Sequence, residues 1–180
     1  MRLAAGGKSE TVPLTIQLDP RVKTPAAELQ KQFDLLMQIR ERVNDVHDAI
    51  NNMKDLRAQI QALRKRHEKN EKAKDLLAQA DALEKKLAPI EQELYQTKAQ
   101  SGQDLLNWPI QLNNKLVALA GVIESADTAP TQQSYDVFSY LTGKLDPVMA
   151  KWKEVRDKDV PALNKKARDV ELPAVTLVKP

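Results

Sequence analysis

The 180-residue chain has no cysteine, only five glycines, and aromatic side chains at 4% of positions. Without cysteine there are no disulfides, thiol nucleophiles or thiolate metal sites. The redox compartment stays open, because a helical domain of this size needs no covalent staple. So few aromatics argue against a sheet-rich core and suit helices packed through Leu, Ile, Val and Ala. No run approaches 18 apolar residues, so no segment reads as a membrane span. Met1 through Gly7 lacks the apolar centre of a signal peptide. An excess of one charge is missing too. With 28 basic and 25 acidic residues the formal net charge is +3, too little to imply a nucleic-acid partner. The densest basic cluster, Arg64, Lys65, Arg66, Lys69, Lys72 and Lys74, is interleaved with Glu68, Glu71 and Asp75. It has no aromatics for base stacking and reads as a solvated helix tip.

Glycine is absent between Gly7 and Gly102, and proline between Pro25 and Pro89. Such an interval predicts long helices, because these two residues are the costliest in a helix interior. The first helix is expected from about Pro25 to His67, capped by Thr24. Its core stripe is Leu36, Ile39, Val43, Val46, Ile50 and Met53. Arg57 falls on the next core position, with Leu56 beside it. Its stem can lie over the seam with the guanidinium in water, and that fault suggests a distal half with fewer neighbours. Asn70 is a candidate cap for the second helix, which carries Leu76, Ala80, Leu83, Leu87, Ile90 and Leu94. Pro89 within it predicts a kink near Lys85. A third helix should begin at Pro109 and carry Leu112, Leu116, Leu119 and Ile123. A fourth, from about Thr131 to Arg156, carries Leu141, Leu145, Val148, Trp152 and Val155, with a second kink at Pro147. Asp159-Val160-Pro161 reads as a break before a short helix, with Asp159 as cap.

The expected fold class is mainly α: an antiparallel bundle of four long helices with a short N-terminal β hairpin or strand. At 1.5 Å per residue the first helix would be about 64 Å long. It would outrun the shorter third and fourth helices and leave a projecting tip around Leu56 to Leu77. Gly6-Gly7 can form a type I′ turn, followed by a strand over Thr11 to Leu18. Pro13 would place that strand at an edge. Val175 through Val178 is strand-like and could pair with Leu14 through Leu18. Residues 1–22 thus read as the remnant of a β-sandwich-like domain, and 23–180 as the helical domain. A leader with one docked strand is the alternative for the N-terminal part.

Signatures of chemistry are sparse. His47 and His67 lie about 30 Å apart along one helix and cannot share an ion. No cofactor motif and no nucleophile elbow occur. Glu84 and Glu91 share a helix face, but Lys85 and Lys86 offer them simple solvent-facing partners. The densest polar group is Asn107, Gln111, Asn113 and Asn114 around Trp108. These amides can satisfy backbone groups at an irregular helix start, or form a ligand rim beside the indole.

The segments Leu14-Thr15-Ile16-Gln17-Leu18-Asp19-Pro20-Arg21-Val22 and Asn107-Trp108-Pro109-Ile110-Gln111-Leu112-Asn113-Asn114 bring a family into view. Together with Gln32-Phe33-Asp34, they resemble the C-terminal tail of large bacterial exported β-propeller proteins. These are similar to sortilin-type propellers and are commonly labelled glycosyl hydrolase, sialidase-like or BNR-repeat proteins. The resemblance implies an exported parent, periplasmic or extracellular, whose immunoglobulin-like and propeller domains lie upstream as the helical part's partners, with another protein as a further partner. No catalytic residue carries over, and no cofactor or metal is implied. The expected function is therefore a non-catalytic structural or protein-interaction module. The alternative is a glycan- or peptide-binding accessory domain.

Overall fold

In the computed structural model, which describes residues 1–177, an N-terminal hairpin precedes a helical bundle. Strands β1 (Arg2–Ala5) and β2 (Lys8–Thr11) pair antiparallel in the register Ala5↔Lys8 to Arg2↔Thr11. Gly6 and Gly7 both take positive φ, +55° and +77°, as a type I′ turn demands. The expected strand over Thr11–Leu18 does not form. Met1 and Val12 exchange the last two bonds of the ladder, and Pro13, which has no N–H to donate, follows directly. Residues 1 through 21 are all exposed.

Helix α1 (Ala26–His67) is 42 residues long, with Glu28 in its first turn and Arg64, Lys65, Arg66 and His67 in its last. That charge order complements the helix dipole. Thr24 is not its cap. The Thr24 hydroxyl donates instead to the carbonyl of Asp127, 2.5 Å away, and Gln32 donates to the carbonyls of Ile123 and Ala126. The root of α1 is thereby tied to the connection between the third and fourth helices. Asn70 does cap: its side chain accepts from the Lys72 amide and starts the short 3₁₀ turn Glu71–Ala73. Helix α2 (Lys74–Leu94) follows and runs unbroken through Pro89.

The third helix starts later than expected. A 3₁₀ segment, Gly102–Leu106, forms first, closed by a reciprocal capping box between Ser101 and Asp104, and α3 occupies Leu112–Ile123. Helix α4 (Gln132–Glu154) is capped by Thr131 and continues through Pro147. The expected break at Asp159 is replaced by a π-helical turn, Val155–Asp159, leading directly into α5 (Val160–Asp169). A widened turn redirects backbone bonds near a residue with no N–H, so Pro161 can enter α5 without ending the helix. Asp159 is free of capping duty and receives Lys86 of α2 at 2.7 Å.

One aliphatic core runs the length of the bundle, from Leu35 and Ile39 to Leu63 on α1 and Leu76 to Leu94 on α2. The distal half of α1 is better covered than its sequence suggests. Helix α5 packs on α2, and the chain after it returns to α1 as an extended segment held by two side-chain amides. Asn164 donates to the Val175 carbonyl and accepts from its N–H, both at 2.8 Å. Gln59 does the same for Thr176, at 2.7 and 2.8 Å. Successive residues of an extended chain present their backbone groups to opposite sides, so this strand-like tail sits between two helices. It does not pair with Leu14–Leu18 as expected; Val178, the end of that stretch, lies outside the described residues.

Trp152 is 4% exposed and borders a hollow it shares with Ala49 and Asn52 of α1. Trp152→Ala should destabilise the chain by about 3 to 5 kcal/mol in urea unfolding. A loss below about 1 kcal/mol would mean that the site collapses or that the ring packs elsewhere.

Candidate functional site

The five rim residues straddle the entry to α3. Asn107 and Trp108 follow the 3₁₀ segment, Gln111 is the residue before α3, and Asn113 and Asn114 lie in its first turn. Trp108 is 39% exposed, yet the Lys98 ammonium lies 4.3 Å from the centre of its ring. Gln96 anchors the adjoining turn by donating to the Pro109 carbonyl at 3.0 Å. Asn113 accepts from the Asn114 N–H at 2.6 Å. Its side of α3 borders a polar hollow of about 270 Å³ with His47, Asn51, Lys54 and Tyr95. Among the described residues, Asn113 is the one rim residue whose side chain makes a hydrogen bond, and that bond is local.

Between α1 and α2 lies a charge cluster whose members were singled out in the sequence but assigned other partners. Glu91 is 3% exposed, and Arg57 reaches one of its carboxylate oxygens at 2.7 Å. Glu84 is 3.6 Å from Arg57 and 2.7 Å from Arg64, which also pairs with Asp81. Arg57 therefore turns into the α1–α2 seam, and Glu84 and Glu91 face arginines, not Lys85 and Lys86. The reason is register: Arg57 and Arg64 are seven apart on α1, as Glu84 and Glu91 are on antiparallel α2. The pairing is imperfect, because Arg57 Nε and Glu91 Oε1 are buried with no partner in the protein. Burial pushes the Glu91 carboxyl above its ordinary range, although the Arg57 charge and hydrogen bond oppose that shift. Burial likewise raises the neighbouring Tyr95 phenol, over whose ring Lys54 sits at 4.7 Å.

The third feature had no signal beyond scattered valines. Helices α3 and α4 enclose an open apolar groove of about 530 Å³, with Leu119 and Leu141 in its floor. Val122 and Tyr140, each 64% exposed, and Val137 line its walls. Thr131, Gln133, Ser134 and Lys115 supply its polar lining. A contiguous exposed apolar surface marks an interaction site more often than scattered single residues do. The sequence missed it because period 3.6 identifies one core stripe per helix, and Val122 and Val137 lie beside that stripe.

Among the described residues, no group of three or more His, Asp or Glu side chains is placed to hold a metal ion. No described helix is long and apolar enough to cross a membrane. The class defined by fold and surface is a helical bundle with an open apolar face. No protein-family model matches the chain, and no curated protein or solved structure matches it.

The Arg57–Glu91 pair yields two expectations. Arg57→Ala strands a buried carboxylate and should cost about 3 to 5 kcal/mol, whereas Arg57→Leu combined with Glu91→Leu should be neutral or stabilising. Urea unfolding of the two variants checks this; equal losses would show that the charges are solvated. The second concerns pH. The folded-state pKa of Glu91 lies above its unfolded value, so its favourable contribution is complete below the unfolded value and is lost as pH rises through the folded one. Relative to Glu91→Gln, the wild-type chain should therefore gain stability as pH falls from neutral toward the ordinary value of 4.5. A pH-independent difference between the two proteins would remove the burial argument.

Proposed function

We propose that this chain is a non-catalytic structural and protein-interaction module of a larger exported β-propeller protein. The helical part, residues 23–180, works as an appendage, and residues 1–22 belong with an immunoglobulin-like domain ahead of it. The observation that carries this reading is the α3–α4 groove. Its lining is mostly apolar and its walls are exposed, so it is suited to covering by another surface and lacks the convergent polar groups that orient a small substrate. The exposed hairpin and the resemblance of the Leu14–Val22 and Asn107–Asn114 segments support an upstream neighbour. The buried Glu91 carboxylate has one oxygen engaged by Arg57 and the other enclosed, an arrangement ill suited to proton transfer to a substrate. Lys98 over Trp108 weighs against sugar stacking on that face of the ring.

The test is to express the upstream domains from the same reading frame and mix them with residues 1–180. Sedimentation velocity should show a complex, and Val137→Lys should weaken it tenfold or more while leaving the far-UV CD unchanged. A reading frame that encodes no propeller upstream would overturn the proposal, as would binding indifferent to Val137→Lys.

A further inference from the structure

We propose that the cleft between α1 and α5 is a binding site for an extended, glutamate-bearing peptide segment of a partner protein, and that the chain's own residues 172–177 fill it in the partner's absence. The site is separate from the α3–α4 groove, so either reading can fail without the other. The tail is gripped as a peptide ligand is gripped, through its backbone. Asn164 binds both the N–H and the carbonyl of Val175, and Gln59 both those of Thr176, at 2.7 to 2.8 Å. A side-chain amide offers a donor and an acceptor in one plane, which match the N–H and C=O that one extended residue presents to the same side. Such clamps accept any sequence that keeps its N–H groups. Val175 is the one buried residue of the tail, with Leu172 and Leu177 half-buried against the core. Any extended segment with an aliphatic residue at the Val175 position can make the same contacts.

Two features make the chain's own tail an imperfect occupant. Its hinge is strained. Helix α5 ends in a Schellman motif, in which the Glu171 N–H donates to the Arg168 carbonyl at 3.0 Å and the Leu172 N–H to the Ala167 carbonyl at 2.8 Å. The residue that makes this turn takes a left-handed conformation and is usually glycine. Here it is Glu171, at φ +58°, and among the described residues no other non-glycine has a positive φ. A segment arriving from another chain carries no such hinge. The cleft is also underfilled. A hollow of about 210 Å³ remains between Pro173, Ala174 and Val175 of the tail and Ala62, Leu63 and Arg66 of α1.

That hollow sets the chemistry of the better ligand. Ala174 lies two residues before Thr176, about 6.6 Å of extended chain. Leu63 lies four residues beyond Gln59, about 6 Å of helix. With Thr176 held by Gln59, Ala174 is level with Leu63 and within one helical turn of Arg66. Among the described residues no carboxylate pairs with Arg66. A glutamate at the Ala174 position would lay its methylenes along Leu63 and bring its carboxylate to that guanidinium. The segment that fits is therefore extended, with glutamate followed by a β-branched aliphatic residue.

Fluorescence anisotropy of a labelled, end-capped peptide, Leu-Pro-Glu-Val-Thr-Leu, titrated with residues 1–180 tests the proposal. Two variants open the cleft by different routes. Val175→Asp removes the tail's buried anchor, and Glu171→Pro forces the hinge open, because proline cannot take a positive φ. Far-UV CD verifies that each remains folded. Both should bind the peptide at least tenfold more tightly than the wild-type chain, and adding Asn164→Ala should undo that gain. Replacing the peptide's glutamate with alanine should weaken binding threefold or more, a difference that Arg66→Ala should erase. In the wild-type chain, saturating peptide should speed amide exchange at Val175 and Thr176, a readout that needs no variant. Folded, open variants that do not bind the peptide overturn the proposal, as does binding that survives Asn164→Ala. Equal affinity for the glutamate and alanine peptides overturns it too, as does wild-type exchange that peptide leaves unchanged. A wild-type chain that self-associates, and loses the complex on Asn164→Ala, would make a second copy's tail the occupant and equally overturns it.

Discussion

A helix of 42 residues is about 63 Å long, and no other helix in this chain can follow it from end to end. The architecture is a response to that mismatch. At its root α1 is met by α3 and α4, tied through Thr24 and Gln32. Along its distal half it is met by α2, and the side that would otherwise be bare is covered by the returning tail. Helices α2, α3 and α4 are each placed by the stretch of α1 they cover, and α5 packs in turn on α2. An isolated helix is marginal in water without such packing, so the relay of partners is what keeps α1 folded.

The Arg57–Glu91 pair lies along the seam where α1 meets α2. Its attraction works against the desolvation of a nearly fully buried carboxylate, and the upward shift of Glu91 shows that desolvation outweighs the two contributions from Arg57. Such a pair is poor evidence for stability. It is better understood through alignment. The seven-residue spacing on each helix pairs Arg57 with Glu91 and Arg64 with Glu84, and a slip of one turn would leave a buried charge alone.

Much of this fold was legible in the residues, for reasons that can be named. The glycine- and proline-free interval fixed α1 to within a residue or two of Ala26–His67, and Asn70 capped where expected. Leu141, Leu145, Val148, Trp152 and Val155 lie buried on one stripe as their spacing required. The errors fall where a side chain stands in for backbone or a backbone changes its period. Asn164 and Gln59 carry no periodic signal, so the extended tail was assigned a strand partner when two amides were serving it. Pro161 signalled a break because a π turn leaves no mark in composition. At the candidate site, the amides near Trp108 were visible as a cluster, but the bond of Asn113 to local backbone and the Lys98 ammonium over the Trp108 ring were not. The α3–α4 groove was invisible because it is made by two faces, each unremarkable alone.

The amide clamps on Val175 and Thr176 have one more implication. All four of their hydrogen bonds join neutral groups, whereas most other tertiary ties on this bundle's surface run through carboxylates, lysines and arginines. Acid and added salt loosen ion pairs but leave amide-to-peptide bonds nearly untouched. The chain's returning end is therefore fastened by the one kind of polar contact indifferent to its ionic surroundings. Under conditions that strip the charged contacts from α2 and α4, the tail would still bridge α5 to α1.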